Sequence, residues 1–270
     1  MIDAHFHIWR PARGDYGWLT PALGAIHRDV AIADWQGQAA PCGVTGGILV
    51  QAAPTEAETR FLLDQAATAP DLVLGVVGWV DLTLGNAAGR IERLAREPRL
   101  RGLRPMLQDI ADPDWILQPA ATPPLAAMAA AGLTFDALIK PEHLPRIRTL
   151  ARRHPDLTIV IDHGAKPDIA ADRFEPWATE IARIAAETGA YCKLSGLLTE
   201  TGDHPDRVPR YIAHLLASFG PDRLVWGSDW PVLELAGTYA RWHAMALAAI
   251  PTDDRDRVFG ENARRAYRLA

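Results

Sequence analysis

A chain of 270 residues, 49% hydrophobic and 23% charged, has the length and composition to bury one large α/β core, for which about 250 residues is typical. Its formal charge of −5 excludes nucleic acid as the main partner, since that would select a basic surface. No apolar run is long enough to span a membrane, and Cys42 and Cys192 lie far apart and read better as reduced thiols than as a disulfide, so a cytoplasmic protein is expected.

The chain opens with MIDAHFHIW. If residues 2–8 form a strand, His5 and His7 share one face at its carboxyl end, roughly 7 Å apart along it. A stretch rich in aromatics, Pro and Gly runs on to about residue 34, and so long a loop in a compact domain reads as functional. Apolar runs at 44–51, 72–80, 102–107, 133–139, 157–163, 190–195 and 224–229 predict seven further strands. Several are apolar almost throughout (GGILVQ, LVLGVVGWV, LTIVID), as parallel strands covered on both faces are. Helical segments are expected at 56–68, 87–96, 124–131, 142–154, 174–188 and 206–219, with 239–249 and 253–269 after the last strand. Starts such as Pro54-Thr55-Glu56 and Pro141-Glu142 mark them. The charge-rich end, TDDRDRVFGENARRAYRLA, reads as a solvated helix on the outside of the fold.

Eight βα units in series, with no low-complexity linker, imply a single (β/α)8 TIM barrel over residues 1–270. An open doubly wound sheet is the alternative, but no G-x-G-x-x-G turn follows the first strand. Active sites of this barrel lie at the carboxyl ends of the strands. In chain order those ends offer His5 and His7, then Gln51, then Trp79 and Asp81, then Arg104, Met106 and Gln108. Asp136 and Lys140, Asp162 and His163 with Lys166, and Lys193 and Ser195 come next. Asp229 and Trp230 follow within GSDWP. His5, His7, His163 and Asp229 are distant in sequence but would meet over the barrel mouth. The set suits hydrolysis: a carboxylate takes a proton from water while imidazoles polarise a carbonyl and steady the oxyanion. The same residue types also serve as ligands of a hydrolytic zinc ion.

HFH on the first strand with a terminal GSDWP resembles the amidohydrolase superfamily. The match is closer to its lactonase branch. DYGW, LVQAAPTEAET, VVGWVDL, RGLRPMLQD, DHGAKP, CKLSGL and FGPDRLVWGSDWPV, in that order, resemble the sugar-lactone hydrolases that act on L-fucono- or L-rhamnonolactones. The resemblance implies opening of an aldonolactone to its aldonic acid, with a small-molecule sugar lactone as partner and either a monomer or a homo-oligomer. Pyrone-dicarboxylate lactonase and, more distantly, the aminocarboxymuconate decarboxylases are also similar. They imply the alternative of a metal-dependent decarboxylase or hydrolase of an aromatic-derived acid.

The chain departs from the binuclear members of that superfamily. They bridge two metals with a carboxylated lysine or a glutamate on the fourth strand and draw a histidine from the fifth. Here the fourth strand holds Arg104, Met106 and Gln108, and LTFDALIK on the fifth has no histidine. The expectation is therefore catalysis with no required cofactor, with Asp229 as general base and His5, His7 and His163 on the carbonyl. One Zn²⁺ on His5, His7 and Asp229 is the alternative. For substrate binding, Arg104 offers a rigid fork of donors, or else forms a barrel-end salt bridge. Gln51 and Gln108 suit sugar hydroxyls. Trp18, with Tyr16 in the first loop, could pack on a sugar face or only within the loop. Lys166 either binds substrate or pairs with Asp162 or Asp168, and Trp230 either walls the pocket or fills the core.

Overall fold

The computed structural model describes residues 1–269; Ala270, the end of the expected domain span, lies outside the described residues. Among these, eight parallel strands follow one another in a single sheet: β1 Ile2–Phe6, β2 Gly46–Val50, β3 Val73–Gly78, β4 Leu100–Leu103, β5 Thr134–Ala137, β6 Ile159–Ile161, β7 Tyr191–Leu194 and β8 Leu224–Trp226. The ring closes just beyond β8. Asp229 N–H donates to His5 O at 2.8 Å and His7 N–H to Trp230 O at 2.8 Å, so Phe6 and Trp230 bridge in parallel. The fold is the (β/α)8 barrel the sequence predicts.

Helices fill the connections: α1 Ile32–Ala39, α2 Glu56–Thr68, α3 Ala87–Leu94, α4 Thr122–Ala130, α5 Leu144–Arg153, α6 Trp177–Glu187, α7 Val208–Phe219 and α8 Tyr239–Ala249, with α9 Asn262–Tyr267 last. The Thr55 hydroxyl caps α2 by accepting from Glu58 N–H at 3.0 Å, which places that helix start where the Pro-Thr-Glu signal predicts it. No described helix is long and apolar enough to cross a membrane. The main core lies between barrel and helices; Phe6, for instance, stacks on Trp35 at 4.0 Å.

Three expectations are corrected. The first loop ends in a helix, α1, whose buried Ile32, Trp35 and Ala39 give it an inward stripe too short to stand out among the surrounding Pro and Gly. The strands are shorter than their apolar runs, so the polar residues at the mouth sit in turns beyond them. The charged terminal segment does not lie on the outside. After a π-helical turn at Arg257–Glu261, α9 presses Ala263, Ala266 and Tyr267 against Ile2, Ala4, Ile48, Val160 and Val225 inside the barrel. Thr134 Oγ1 donates to Ala266 O at 2.6 Å, and Asn262 Nδ2 donates to Leu224 O at 2.7 Å. Since Thr134 and Leu224 begin β5 and β8, α9 plugs the amino-terminal end of the barrel, opposite the mouth.

Candidate active site

The mouth is built by positions just past the strands. His5 lies on β1 and His7 follows it, while His163 follows β6 in a turn where its own φ is +54°. Asp229 follows β8 with φ +59°. That left-handed conformation is uncommon for a non-glycine residue and is held by surrounding bonds. The fully buried Asp3 supplies several: it accepts from Ser228 N–H at 2.8 Å, Ser228 Oγ at 2.7 Å, Trp35 Nε1 at 2.9 Å and Tyr239 OH at 3.0 Å. Two glycines allow the close packing. A Cβ on Gly227 would stand 2.8 Å from His5 Cβ, and one on Gly196 would stand 2.6 Å from His163 Nδ1.

Three imidazoles converge on one carboxylate oxygen. Asp229 Oδ1 lies 3.3 Å from His7 Nε2, 3.5 Å from His5 Nε2 and 3.9 Å from His163 Nε2, and the Nε2 atoms of His5 and His7 are 3.1 Å apart. The far side of each ring has its own partner. His7 Nδ1 donates to Val50 O at 2.8 Å. His163 Nδ1 meets Ser195 Oγ at 2.8 Å. His5 Nδ1 faces the Lys193 ammonium at 3.3 Å and its Nε2 faces Arg104 Nη1 at 3.3 Å, so the ring lies between two cations.

Beneath the imidazoles lies a buried ionic layer. Lys193 pairs with Asp136 and, at 2.9 Å, with Asp162. Arg104 Nη1 donates to Asp162 Oδ2 at 3.2 Å, and Tyr267 OH donates to Asp136 Oδ2 at 2.8 Å. Burial pushes Asp136 up to about 6 despite Lys193. Burial would also raise Asp162, but Lys193 and His5 hold it well below the usual carboxylate range. Asp229 behaves alike: burial opposes its charge, yet His163, His7 and His5 together keep the carboxyl below its ordinary value. Burial lowers His163 to about 4 and, with Lys193, puts His5 well below the usual imidazole value. Around neutral pH the centre therefore holds an ionised Asp229 among uncharged His5 and His163.

A cavity of about 290 Å³ opens above, walled by His7, Trp18, Arg104, Gln108, His163, Lys166 and Asp229. The structure thus brings most of the expected residues together. Gln108 leaves its buried Oε1 without a partner, as a group waiting for a hydroxyl would. Trp18 is 37% exposed and anchored by its Nε1, which donates to Ala52 O at 2.7 Å. Lys166 pairs with Glu200 at 3.4 Å rather than with Asp162 or Asp168. Three residues stand back from the wall. His5 is fully buried below Asp229. Gln51 clamps Arg104: its Oε1 accepts from Nη2 at 3.0 Å and its Nε2 donates to Arg104 O at 3.1 Å. The Trp230 indole is buried, and its Nε1 donates to Glu234 at 2.7 Å. Tyr16 is buried against Trp9. Asp136, Asp162, Lys193 and Ser195 matter here although the strand-end reading attaches no task to them; the legible signal is a polar or charged residue inside otherwise apolar strand runs.

The donor set fits one divalent ion. His5, His163 and Asp229 each turn a ligand atom within 4.8 Å of the others, and His7 lies as near to Asp229 and His5. Just past β4, where a second ion would need a bridging carboxylate or lysine, stands Arg104, engaged by Gln51 and Asp162.

The amidohydrolase family model matches residues 2–269. An L-fucono-1,5-lactonase of Burkholderia ambifaria is 47% identical over 99% of this chain and 95% of its own length. A second L-fucono-1,5-lactonase, from Burkholderia multivorans, is 33% identical over 99% and 96%. Among solved structures, a Burkholderia multivorans amidohydrolase with bound zinc superposes with a TM-score of 0.92 at 31% identity, covering 100% of this chain and 99% of that one. With this barrel, this mouth and these relatives, the chain is an enzyme belonging to the amidohydrolase family.

Proposed function

We propose that this enzyme hydrolyses a sugar lactone of the L-fucono-1,5-lactone type to its aldonic acid, and that it needs no metal to do so. The observation that carries the reading is the convergence of three buried imidazoles on one oxygen of Asp229 at the floor of a small cavity. Full-length similarity to the two L-fucono-1,5-lactonases supports the choice of substrate.

Asp229 Oδ1 takes the imidazole contacts, and Oδ2 has no hydrogen-bond partner among the described residues. Oδ2 is the atom that removes a proton from water as the water oxygen bonds to the lactone carbonyl carbon. A carboxylate held below its usual range is a weak base, which suffices because a lactone is an activated ester. His163 donates from Nε2 to the developing oxyanion, its Nδ1 accepting from the Ser195 hydroxyl. Arg104, on the cavity wall, adds positive potential. His5 and His7 hold Asp229 from behind. The tetrahedral intermediate then expels the ring oxygen, and Asp229 returns the proton to it.

If an ion is bound, His5, His7, His163 and Asp229 hold it, and it would polarise the carbonyl as a Lewis acid. The metal-free reading is supported by Lys193 on His5 Nδ1 and by Arg104 Nη1, 3.3 Å from His5 Nε2, since both place positive charge where an ion would add more. An aromatic-derived polyacid is disfavoured because the cations at the mouth are already taken, Arg104 by Asp162 and Lys166 by Glu200. A pH-indicator assay over a panel of aldonolactones tests the proposal. Acid release is expected from 1,5-lactones, and release from none of them removes it.

A further inference from the structure

The catalytic cavity adjoins a larger groove of about 700 Å³. Trp18, Met106 and Asp109 line both spaces, so the two adjoin along this ridge. Beyond that ridge the groove is walled by Trp79 and Trp115 and carries the carboxylates of Asp15 and Asp81, with no Lys, Arg or His among its lining residues. Three indoles and three carboxylates on one wall are an unusual pairing. Trp18 is held by its bond to Ala52 O and by edge-to-face contact with Trp9 at 5.4 Å. The Trp79 backbone is pinned on both sides by Thr59 Oγ1, at 2.8 and 3.1 Å. Asp15 pairs with Arg13 and Asp81 with Thr83, whereas the exposed Asp109 carboxylate has no partner among the described residues.

The chemistry narrows the occupant. Asp81 and Asp109, whose carboxylates pair with no cation among the described residues, repel an anion. A purely apolar group would cover acidic oxygens without giving them donors, which is costly. A neutral sugar ring answers both surfaces: its C–H face carries partial positive charge that suits the negative face of an indole, and its hydroxyls donate to carboxylates. The groove is also more than twice the volume of the catalytic cavity, so a single lactone ring above Asp229 leaves it open. The flank on the other side of Gln108 and Lys166 is different. Its Arg146, Lys166 and Arg173 are paired with Asp114, Glu200 and Asp168, and it carries one indole, Trp177, against three in the groove.

We propose that the groove lined by Trp18, Trp79, Trp115 and Asp109 is a second sugar subsite, so that the enzyme accepts lactones of glycosylated aldonic acids. The inference rests on the lactonase reading. Only the ring ester is cleaved by water; the glycosidic bond stays intact and its sugar serves as a handle.

The test compares a monosaccharide 1,5-lactone with the 1,5-lactone of a disaccharide aldonic acid and with a lactone carrying an alkyl chain of similar length. The disaccharide lactone is expected to show the highest kcat/KM of the three. Trp115→Ala should lower kcat/KM for that substrate roughly fivefold to tenfold, the size of one lost aromatic contact, while leaving the monosaccharide lactone unchanged. Trp115→Phe should restore most of the loss. Tryptophan fluorescence titrated with the unreactive disaccharide alditol gives a second readout, expected to saturate in the parent and to weaken in Trp115→Ala. Turnover of the monosaccharide lactone with no gain from the second sugar, or a gain from the alkyl chain alone, overturns the subsite. Turnover of no lactone together with saturable alditol binding would instead overturn the lactonase reading and leave the subsite standing.

Discussion

The Lys193 ammonium lies 3.3 Å from His5 Nδ1 and 2.9 Å from Asp162 Oδ1, with all three side chains fully buried. It thereby offsets part of the acidic layer under the site and sets positive charge against the His5 ring. Lys193→Met removes the shared cation, leaving Asp136 with no cationic partner among the described residues and Asp162 with Arg104 alone, so it should destabilise the fold by about 3–5 kcal/mol. Urea unfolding measures this. Adding Asp136→Asn to Lys193→Met should return part of the loss, and a double variant less stable than the single one would argue against this account.

Asp229→Asn keeps the size of the side chain and abolishes its basicity. It should lower kcat by at least roughly a hundredfold, with KM little changed and unaltered unfolding, because general-base action is worth about 10²- to 10⁴-fold. Steady-state kinetics on a responsive lactone decide it; near-normal turnover would remove Asp229 from its proposed task.

Prolonged dialysis against a chelator should leave kcat/KM unchanged, and mass spectrometry of the purified enzyme should find less than one divalent ion per chain. Activity lost on chelation and restored by Zn²⁺ would instead show that the His5, His7 and Asp229 set works as an ion site.

Glu58 bears on stability. It is fully buried, and although Ala52 N–H and Ala53 N–H donate to it, burial pushes its carboxyl up to about 7 from an ordinary 4.5. Between those values the folded chain holds a proton that the unfolded chain has released. Its contribution to stability is therefore full below about pH 4.5 and is lost as pH rises through 7. Glu58→Gln should flatten this part of the profile. The measurement is the difference in thermal midpoint between pH 5 and pH 8, smaller in the variant than in the parent; equal differences would count against Glu58 as the source.

The fold was legible because eight apolar runs alternate with helical ones, and a barrel is the economical closure of that pattern. His5, His7, His163 and Asp229 could be grouped for the same reason, since strand ends converge whatever lies between them. Tertiary context decided the rest. Gln51 looks like a hydroxyl ligand in sequence and is turned inward by Arg104, a partner 53 positions away. Lys193 reads as one polar residue in a strand until Asp136 and Asp162 from β5 and β6 close around it. The terminal helix was misplaced because its many Arg and Asp outweigh three small or aromatic residues, Ala263, Ala266 and Tyr267, that face the barrel.

The bond from Tyr267 to Asp136 has a consequence for how the enzyme is made. Every strand leaves the ribosome before Tyr267 does, so a nascent chain can close its barrel while the acidic layer under the mouth still lacks one of its donors. The hydroxyl that completes this layer arrives after its partners and from the opposite end, which ties maturation of the floor beneath the mouth to synthesis of α9.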